Sequence, residues 1–433
     1  MVLVLIFITA FMILACLRIP IPFSVGLAGI ISMLAGGISI ATVPGAIFKN
    51  LNSFAYLAIP AFIYAGDIMT LGGITEALVT FVRSIVGRIK GSVGATAIIT
   101  SALFGTISGS SVATVSAVGS MMLPEMVKSG YKKDYAASLI AASGFLGILI
   151  PPSIPGVVFA LTAGLPVHQV WLTTLVPGVL LTAAYVIYNR VFYAKYEIQD
   201  TSPFTAKSYF AGIGRSLPKG LVALLMPLII FVGVYGGIMT PTEAGAVAVV
   251  YGLIAGWVIY PLLFKEKSTE GLWSVTKKSA ITSATICLLI AFAAIPSTMF
   301  TFGQCATAFT NFILGVTDSP VTFLLVVNVL LIIIGMFMET NTAILLFAPI
   351  LVPAAKAFGI DPLHFAAIML LNLEIGMISP PFACNIFVAC KLSGQTMDKL
   401  VKPILGFIAV CIPVLLLTTF IPSLSLAIVH LLG

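Results

Sequence analysis

The sequence predicts an all-α polytopic membrane protein made of two inverted repeats, with about ten spanning helices and two re-entrant helical hairpins. Three observations carry this reading. Of 433 residues, 60% are apolar and only 8% charged, against about 45–50% and about 25% in a soluble domain. Apolar runs recur at the roughly 20-residue length that a hydrocarbon core of about 30 Å requires of a helix. Glycines and prolines recur between the two halves at a shift of 229 residues. So few charges could not coat a water-soluble surface. A cytosolic enzyme, a disulfide-stapled secreted domain, a disordered tail and a free nucleic-acid binder are therefore excluded. The net charge of +7 is spread through short loops and gathers on no single face, so no nucleic-acid partner is expected.

Residues 1–17 lack a basic n-region and an A-x-A-like cleavage site, and are expected as a retained first span. Further spans are expected at about 21–41, 54–71, 134–163, 169–194, 219–239, 243–264, 280–302, 362–390 and 403–430. Two regions, 92–128 and 320–356, are too long for one span and short for two. Each has a polar centre, Ser108-Gly109-Ser110-Ser111 in one and Glu339-Thr340-Asn341-Thr342 in the other, so each is read as a hairpin that turns at its polar tip. Residues 72–90 and 265–279 read as interfacial helices bracing a scaffold. The chain then divides into first-half scaffold and arm (1–90), first hairpin and broken helix (91–168), and connecting helices with second-half scaffold and arm (169–279). A helix leading to the second hairpin (280–302), the second hairpin with its broken helix (303–391) and a C-terminal helix (392–433) complete it, with 195–218 the longest cytoplasmic connection.

Lys and Arg favour cytoplasmic loops. Ten spans and two hairpins put 19 of the 21 basic residues on one side, leaving Lys49 and Lys356 on the other. Treating each hairpin region as one span reduces the split to 14 against 7. Both regions therefore return to their starting side, and both termini are expected outside. The count leaves a hairpin and two full crossings equivalent; length and polar tips favour the hairpin.

Five spans separate the hairpin regions, so the second opens to the side opposite the first. A shift of 229 superposes Pro124 on Pro353, Gly130 on Gly359, Gly147 on Gly376 and Pro151-Pro152 on Pro380-Pro381, and a shift of 230 places Gly105 on Gly335. Proline lacks an N–H and clashes with the preceding turn, so Pro151, Pro152, Pro380 and Pro381 are expected to break two helices in mid-span. Open backbone is tolerated in lipid only where protein covers it or a cavity adjoins it. Broken helices at matching positions of two inverted halves point to the midplane site of a secondary transporter.

At each tip the second limb starts a helix with unpartnered N–H groups, where Ser110, Ser111, Thr340, Asn341 and Thr342 read as N-caps and anion-facing donors. With Ser108, Ser153 and Asn385 they form the expected substrate side. Freed carbonyls and oxygens of Ser108, Gly109, Gly144, Gly147, Glu339, Thr340, Gly376 and Ser379 suit sodium. Sodium is preferred to protons because the tips are rich in oxygen and poor in titratable groups. No Arg lies at membrane depth in this topology, so an anion would be held by dipoles, hydroxyls and a co-bound cation. Of four carboxylates near the membrane, Glu339 is expected to shape the site and Glu374 to hydrogen-bond at the second break, while Asp67 and Glu243 read as snorkelling or capping groups at span ends. His168, His364 and His430 are too dispersed for a metal site. The six cysteines, none in a CxxC pair, read as buried thiols.

Several segments together resemble one family. They are Phe104-Gly-x-Ile-Ser-Gly-Ser-Ser111, Gly130-Tyr131, Ala141-Ala-Ser-Gly-x-Leu-Gly-Ile-Leu-Ile-Pro-Pro-Ser153, Thr240-Pro-Thr-Glu-Ala244, Gly359-Ile-Asp-Pro-x-His-Phe365, Asn372-Leu-x-Ile-Gly-x-Ile-Ser-Pro-Pro381 and Ile59-Pro-x-Phe-Ile-x-Ala-Gly66. The pattern is similar to the large membrane subunit of TRAP (tripartite ATP-independent periplasmic) transporters over essentially the whole chain. It departs at Phe382-Ala383, where the family carries a small residue and then Gly. The resemblance implies an elevator-type carrier in a bacterial inner membrane, importing an organic acid such as a C4-dicarboxylate or sialic acid on a Na⁺ gradient. It also implies a small membrane (Q) subunit, a periplasmic substrate-binding (P) protein, and sodium bound where tips meet breaks. No cofactor is expected beyond the coupling ion, and no GxxxxGK[ST] loop is present. The alternative is a stand-alone Na⁺/divalent-anion symporter without a binding protein. An embedded enzyme would need a catalytic constellation that the sequence lacks.

Overall fold

A computed structural model of the chain describes residues 2–87, 90–197, 206–265, 271–315, 317–381 and 383–432. Among them every regular element is helical. The first half runs α1 (Val2–Cys16), α2 (Ile21–Ala35), α3 (Val43–Leu51), α4 (Ala58–Leu71), α5 (Ile74–Val86), α6 (Ser92–Ser108), α7 (Ser111–Lys128), α8 (Lys133–Gly144), α9 (Leu146–Leu149), α10 (Ile154–Ala163) and α11 (Val167–Phe192). The second half runs α12 (Ala206–Tyr235), α13 (Pro241–Ile254), a π turn, α14 (Tyr260–Phe264), α15 (Leu272–Phe302), α16 (Cys305–Leu314), α17 (Pro320–Phe337), α18 (Thr340–Ala357), α19 (Pro362–Met377), α20 (Cys384–Ser393) and α21 (Met397–Phe420). A short α22 (Pro422–Leu432) follows. Among the described residues seven helices are long and apolar enough to cross a membrane, or up to nine if each of two bent pairs counts as one span. This is an all-α membrane protein.

The two halves correspond element by element: α1 to α12, α2 to α13–α14, α3 and α4 to α15, α5 to α16, α6–α7 to α17–α18, the α8–α10 run to α19–α20, and α11 to α21. Their contacts exchange as a two-fold axis demands. Helix α2 packs on α15 while α13 packs on α4; α10 packs on α18 while α20 packs on α7; α11 packs on α19 while α21 packs on α8. The broken-helix limbs α8 and α19 form the interior with α6 and α18 packed against them, while α17 turns Val321, Val326 and Val329 outward. In α19 every residue from His364 to Met377 is buried, and in α8 every residue from Tyr135 to Gly144. The outer helices turn Leu228, Val232, Val250 and Leu262 outward, as expected where lipid is the solvent.

Each hairpin rests on its own repeat's broken helix through a pair of glycines. A methyl group added at Gly105 would overlap the Gly147 backbone, and one at Gly376 would sit 2.5 Å from the Gly335 Cα. These are the glycines that the repeat superposes. At the foot of the first hairpin, Glu197 accepts hydrogen bonds from Ser92 Oγ and from the Tyr131 hydroxyl, both at 2.9 Å. Burial and the Glu197 charge hold the Tyr131 phenol well above its ordinary range, so it stays a donor at neutral pH.

Several boundaries differ from expectation. The span expected at 21–41 stops at Ala35, because Gly36 and a left-handed Gly37 (φ 66°) end the helix. The span expected at 403–430 is divided between α21 and α22, since Pro422 pushes Ile421 out of the helical region (φ −119°, ψ 84°). Residues 272–279 are the first turns of α15 rather than a separate interfacial helix, and α16 precedes the second hairpin as α5 precedes the first. Part of the 195–218 connection, together with Arg88 and Lys267, lies outside the described residues; from 206 onward it is helix α12. The cysteines are only partly buried: Cys305 and Cys411 are, Cys16 is exposed, and Cys287, Cys384 and Cys390 are intermediate. An apolar run in a membrane protein faces lipid as readily as protein, so run composition alone does not place a side chain inside.

We expect Gly105→Val and Gly376→Val each to destabilise the purified protein by at least about 2 kcal/mol, because backbone, not a yielding side chain, occupies the space. Gly212→Ala, with no atom within 4 Å of the added methyl, serves as control. Tm in detergent checks this, with a marked drop for the first two and none for the third.

Candidate functional site

The first tip is a two-residue turn. Helix α6 ends at Ser108, Gly109 takes a left-handed φ of 57°, and Ser110 caps α7, its Oγ accepting from the Ala113 N–H at 3.4 Å. Ser108 Oγ lies 3.1 Å from Thr114 Oγ1, which donates to the Ser110 carbonyl at 2.8 Å. The tip is joined directly to the first break. The Ile154 N–H, at the start of α10, donates to the Gly109 carbonyl at 3.2 Å. Interrupting the helix at Pro151-Pro152 thus frees a donor, and the hairpin turn supplies its acceptor. The helix bends by 46° there.

The second tip is built differently. Glu339, not a threonine, is the N-cap of α18. Its carboxylate accepts from the backbone N–H groups of Asn341 (3.0 Å) and Thr342 (3.3 Å) and from Asn341 Nδ2 (2.7 Å). At this helix start the Glu339 carboxyl group already occupies the backbone N–H groups to which the sequence reading gave an anion-facing role. Thr340 turns inward and donates to Glu374 Oε1 at 2.5 Å, tying the tip to α19. The Ser111 hydroxyl of the first tip faces the same buried carboxylate. Glu374 Oε2 and Asn341 Oδ1 are buried without a hydrogen-bond partner.

Both tips open into one cavity of about 390 Å³. It takes Ser108, Gly109, Ser110 and Ser111 from the first tip, Glu339 and Asn341 from the second, and Ile148, Ile154 and Pro155 from beside the first break. The first turn of α7, Ser111 to Ala113, lines this chamber, and a helix N-terminus is a favourable place for an anion.

The other predicted residues lie around the chamber without lining it. Ser153 caps α10, accepting from the Gly156 N–H at 3.2 Å, and its carbonyl takes Trp171 Nε1 at 3.0 Å. Asn385 is fully buried at the start of α20, with neither side-chain polar atom partnered. Gly144 admits Val115 of α7, Gly147 and Gly376 meet the hairpin glycines, and Ser379 Oγ donates to the Ile375 carbonyl at 2.7 Å. Pro380 and Pro381 fall between α19 and α20; Phe382, where the sequence departs from the family pattern, lies outside the described residues. Glu243 forms the expected capping box with Thr240.

Asp67 does more than cap a span. It lines the chamber from α4, beside Lys278 and Thr282 of α15. Lys278 was hidden in the sequence because residues 265–279 read as an interfacial segment. A helical register carried back from the apolar run at 280–302 would have put it on the helix.

The chain matches the family described as "Tripartite ATP-independent periplasmic transporter, DctM component" over residues 8–424. It belongs to that family. Relatives of this DctM protein include the isethionate TRAP transporter permease protein DctMQ of Oleidesulfovibrio alaskensis, 36% identical over 94% of this chain; the chain spans 63% of that longer protein. The C4-dicarboxylate TRAP transporter large permease protein DctM of Pseudomonas aeruginosa is 34% identical, over 95% of this chain and 94% of the relative. The sialic acid TRAP transporter large permease protein SiaM of Vibrio cholerae is 31% identical, over 94% of each. In fold the chain is similar to the Alcanivorax borkumensis YdaH transporter, with a TM-score of 0.60 at 14% identity over 87% of this chain and 86% of that one. The DctM component is a membrane permease rather than an enzyme.

Glu374→Ala is expected to lower Tm more than Glu374→Gln. The alanine leaves the buried Thr340 hydroxyl without its acceptor, at a cost of about 1–3 kcal/mol, while glutamine retains an oxygen for it. Equal losses in the two variants would remove the Thr340 link.

Proposed function

We propose that this protein imports a small organic anion coupled to sodium, moving its hairpins and broken helices as one body past the α1–α4 and α12–α15 scaffold. The observation that carries the reading is the single chamber shared by both hairpin tips, the first break and two scaffold helices. The two tips differ in charge. The N-terminus of α7 favours an anionic group, and Ser108, Ser110 and Ser111 supply hydroxyls. The second tip offers the Glu339 carboxylate and the unpartnered oxygens of Glu374 and Asn341, a setting for a hard monovalent cation. Sodium and substrate then occupy complementary ends of one site, and each lowers the cost of binding the other.

With the termini outside, α4 ends and α15 begins on the cytoplasmic side, so the chamber's mouth between them faces inward. The related permeases named for isethionate, C4-dicarboxylate and sialic acid support an acidic substrate. A periplasmic binding protein would deliver it, and a small membrane subunit would brace the scaffold, as a fused DctMQ relative supports.

The test is uptake of succinate, isethionate and N-acetylneuraminate into proteoliposomes, with and without a Na⁺ gradient and with the cognate binding protein supplied or withheld. Uptake of at least one anion is expected only with both present. In that assay Ser110→Ala and Asn341→Ala lower sodium-dependent uptake several-fold while insertion is unchanged. Uptake indifferent to sodium would overturn the coupling, and uptake without the binding protein would favour a stand-alone symporter.

A further inference from the structure

The chamber is lined by two acids, Asp67 and Glu339, and by one base among the described residues, Lys278. An organic anion entering such a lining needs that base to turn to it, since the other charged groups there are acids. The geometry allows this. Lys278 Nζ stands 3.8 Å from Asp67 Oδ1, a separation at which charges attract but no hydrogen bond forms. Asp67 is held independently, since its Oδ2 accepts from Ser279 Oγ at 2.7 Å. The Lys278 side chain is 58% exposed and the Asp67 side chain 17%. A half-exposed ion pair at this distance contributes little, so exchanging one carboxylate for another around the ammonium costs little too. The acid stays fixed by its serine and the base swings on a flexible stem.

We propose that Lys278 is the counter-charge for the acidic group of the substrate, and that Asp67 is its resting partner between substrates. The proposal rests on the reading of the chamber as an organic-anion site. An ammonium is a point charge without the planar fork of a guanidinium. It therefore accepts a carboxylate or a sulfonate alike, selecting for charge and leaving shape to the serine-lined tip. Position adds a second consequence. Lys278 and Asp67 stand on α15 and α4, outside the hairpins and broken helices. If those move as a body, the counter-charge is met only in the arrangement described here, and affinity at this mouth differs from affinity at the opposite one.

The experiment is equilibrium binding of radiolabelled succinate and isethionate to the full-length protein in nanodiscs, in sodium buffer, for wild type and three variants. Lys278→Gln is expected to weaken binding about tenfold, Lys278→Arg to restore it to within about threefold, and Asp67→Asn to tighten it by releasing the lysine. Lys278 is half-exposed, so the variants should fold; Tm without ligand checks this. Affinity unchanged in Lys278→Gln, with wild type binding normally, overturns the counter-charge alone. Loss that Lys278→Arg fails to restore also overturns it, since charge would then not be what matters. Binding of neither anion by wild type overturns the organic-anion reading together with this proposal.

Discussion

A membrane offers no water to an open backbone, and every other feature of this molecule follows from how that demand is met. Two helices are interrupted at diprolines in the interior of an apolar protein. Each interruption releases peptide groups that must find partners in the protein or face a solvated chamber. The hairpins answer this need. Their first limbs come close enough to touch backbone to backbone through Gly105 and Gly147 in one half and Gly335 and Gly376 in the other. At the first break the turn carbonyl of Gly109 takes the N–H of Ile154 directly. Without glycine at these points the limbs would stand off and the breaks would lose their cover.

The same constraint explains the division of labour. The broken-helix limbs α8 and α19 are buried almost throughout, while scaffold helices and the first limb of the second hairpin turn large apolar side chains to lipid. The repeats exchange partners, the second half of each broken helix lying on the other repeat's hairpin, so the interior is one interlocked unit. Symmetry then stops at the tips. One ends in serines and is capped by the Ser110 hydroxyl; the other is capped by a carboxylate. A perfectly symmetric pair could hold two identical ligands; the proposed pairing of an anion with a cation rests on this difference between the tips.

Much of this was legible in the sequence because the governing signals are local. Proline doublets mark breaks, Ser108 to Ser111 and Glu339 to Thr342 mark turns, and apolar run length marks limbs, so both hairpins fall within a residue of the expected ranges. Shared glycine positions marked the repeat, but that each pair packs backbone against backbone came only with the geometry. Other features depended on partners far away in the chain. Lys278 reads as a loop charge until α4 places Asp67 beside it. Ser153 and Asn385 look like polar ligands beside breaks, yet one is consumed in capping α10 and the other is buried at the start of α20. The capping role of Glu339 was missed because threonines next to it are common N-caps, and only backbone direction distinguishes the cap from the first turn.

The central claim is that both hairpin tips share one chamber that opens to one side at a time. Single cysteines at Ser110 and Asn341, in a background without the six native cysteines, test it directly with a membrane-impermeant thiol reagent applied to inside-out and right-side-out vesicles. Both positions are expected to label together from the cytoplasmic face in sodium-free conditions. Labelling of one only from the cytoplasm and the other only from outside, whatever the conditions, would mean two separate half-sites and contradict the account.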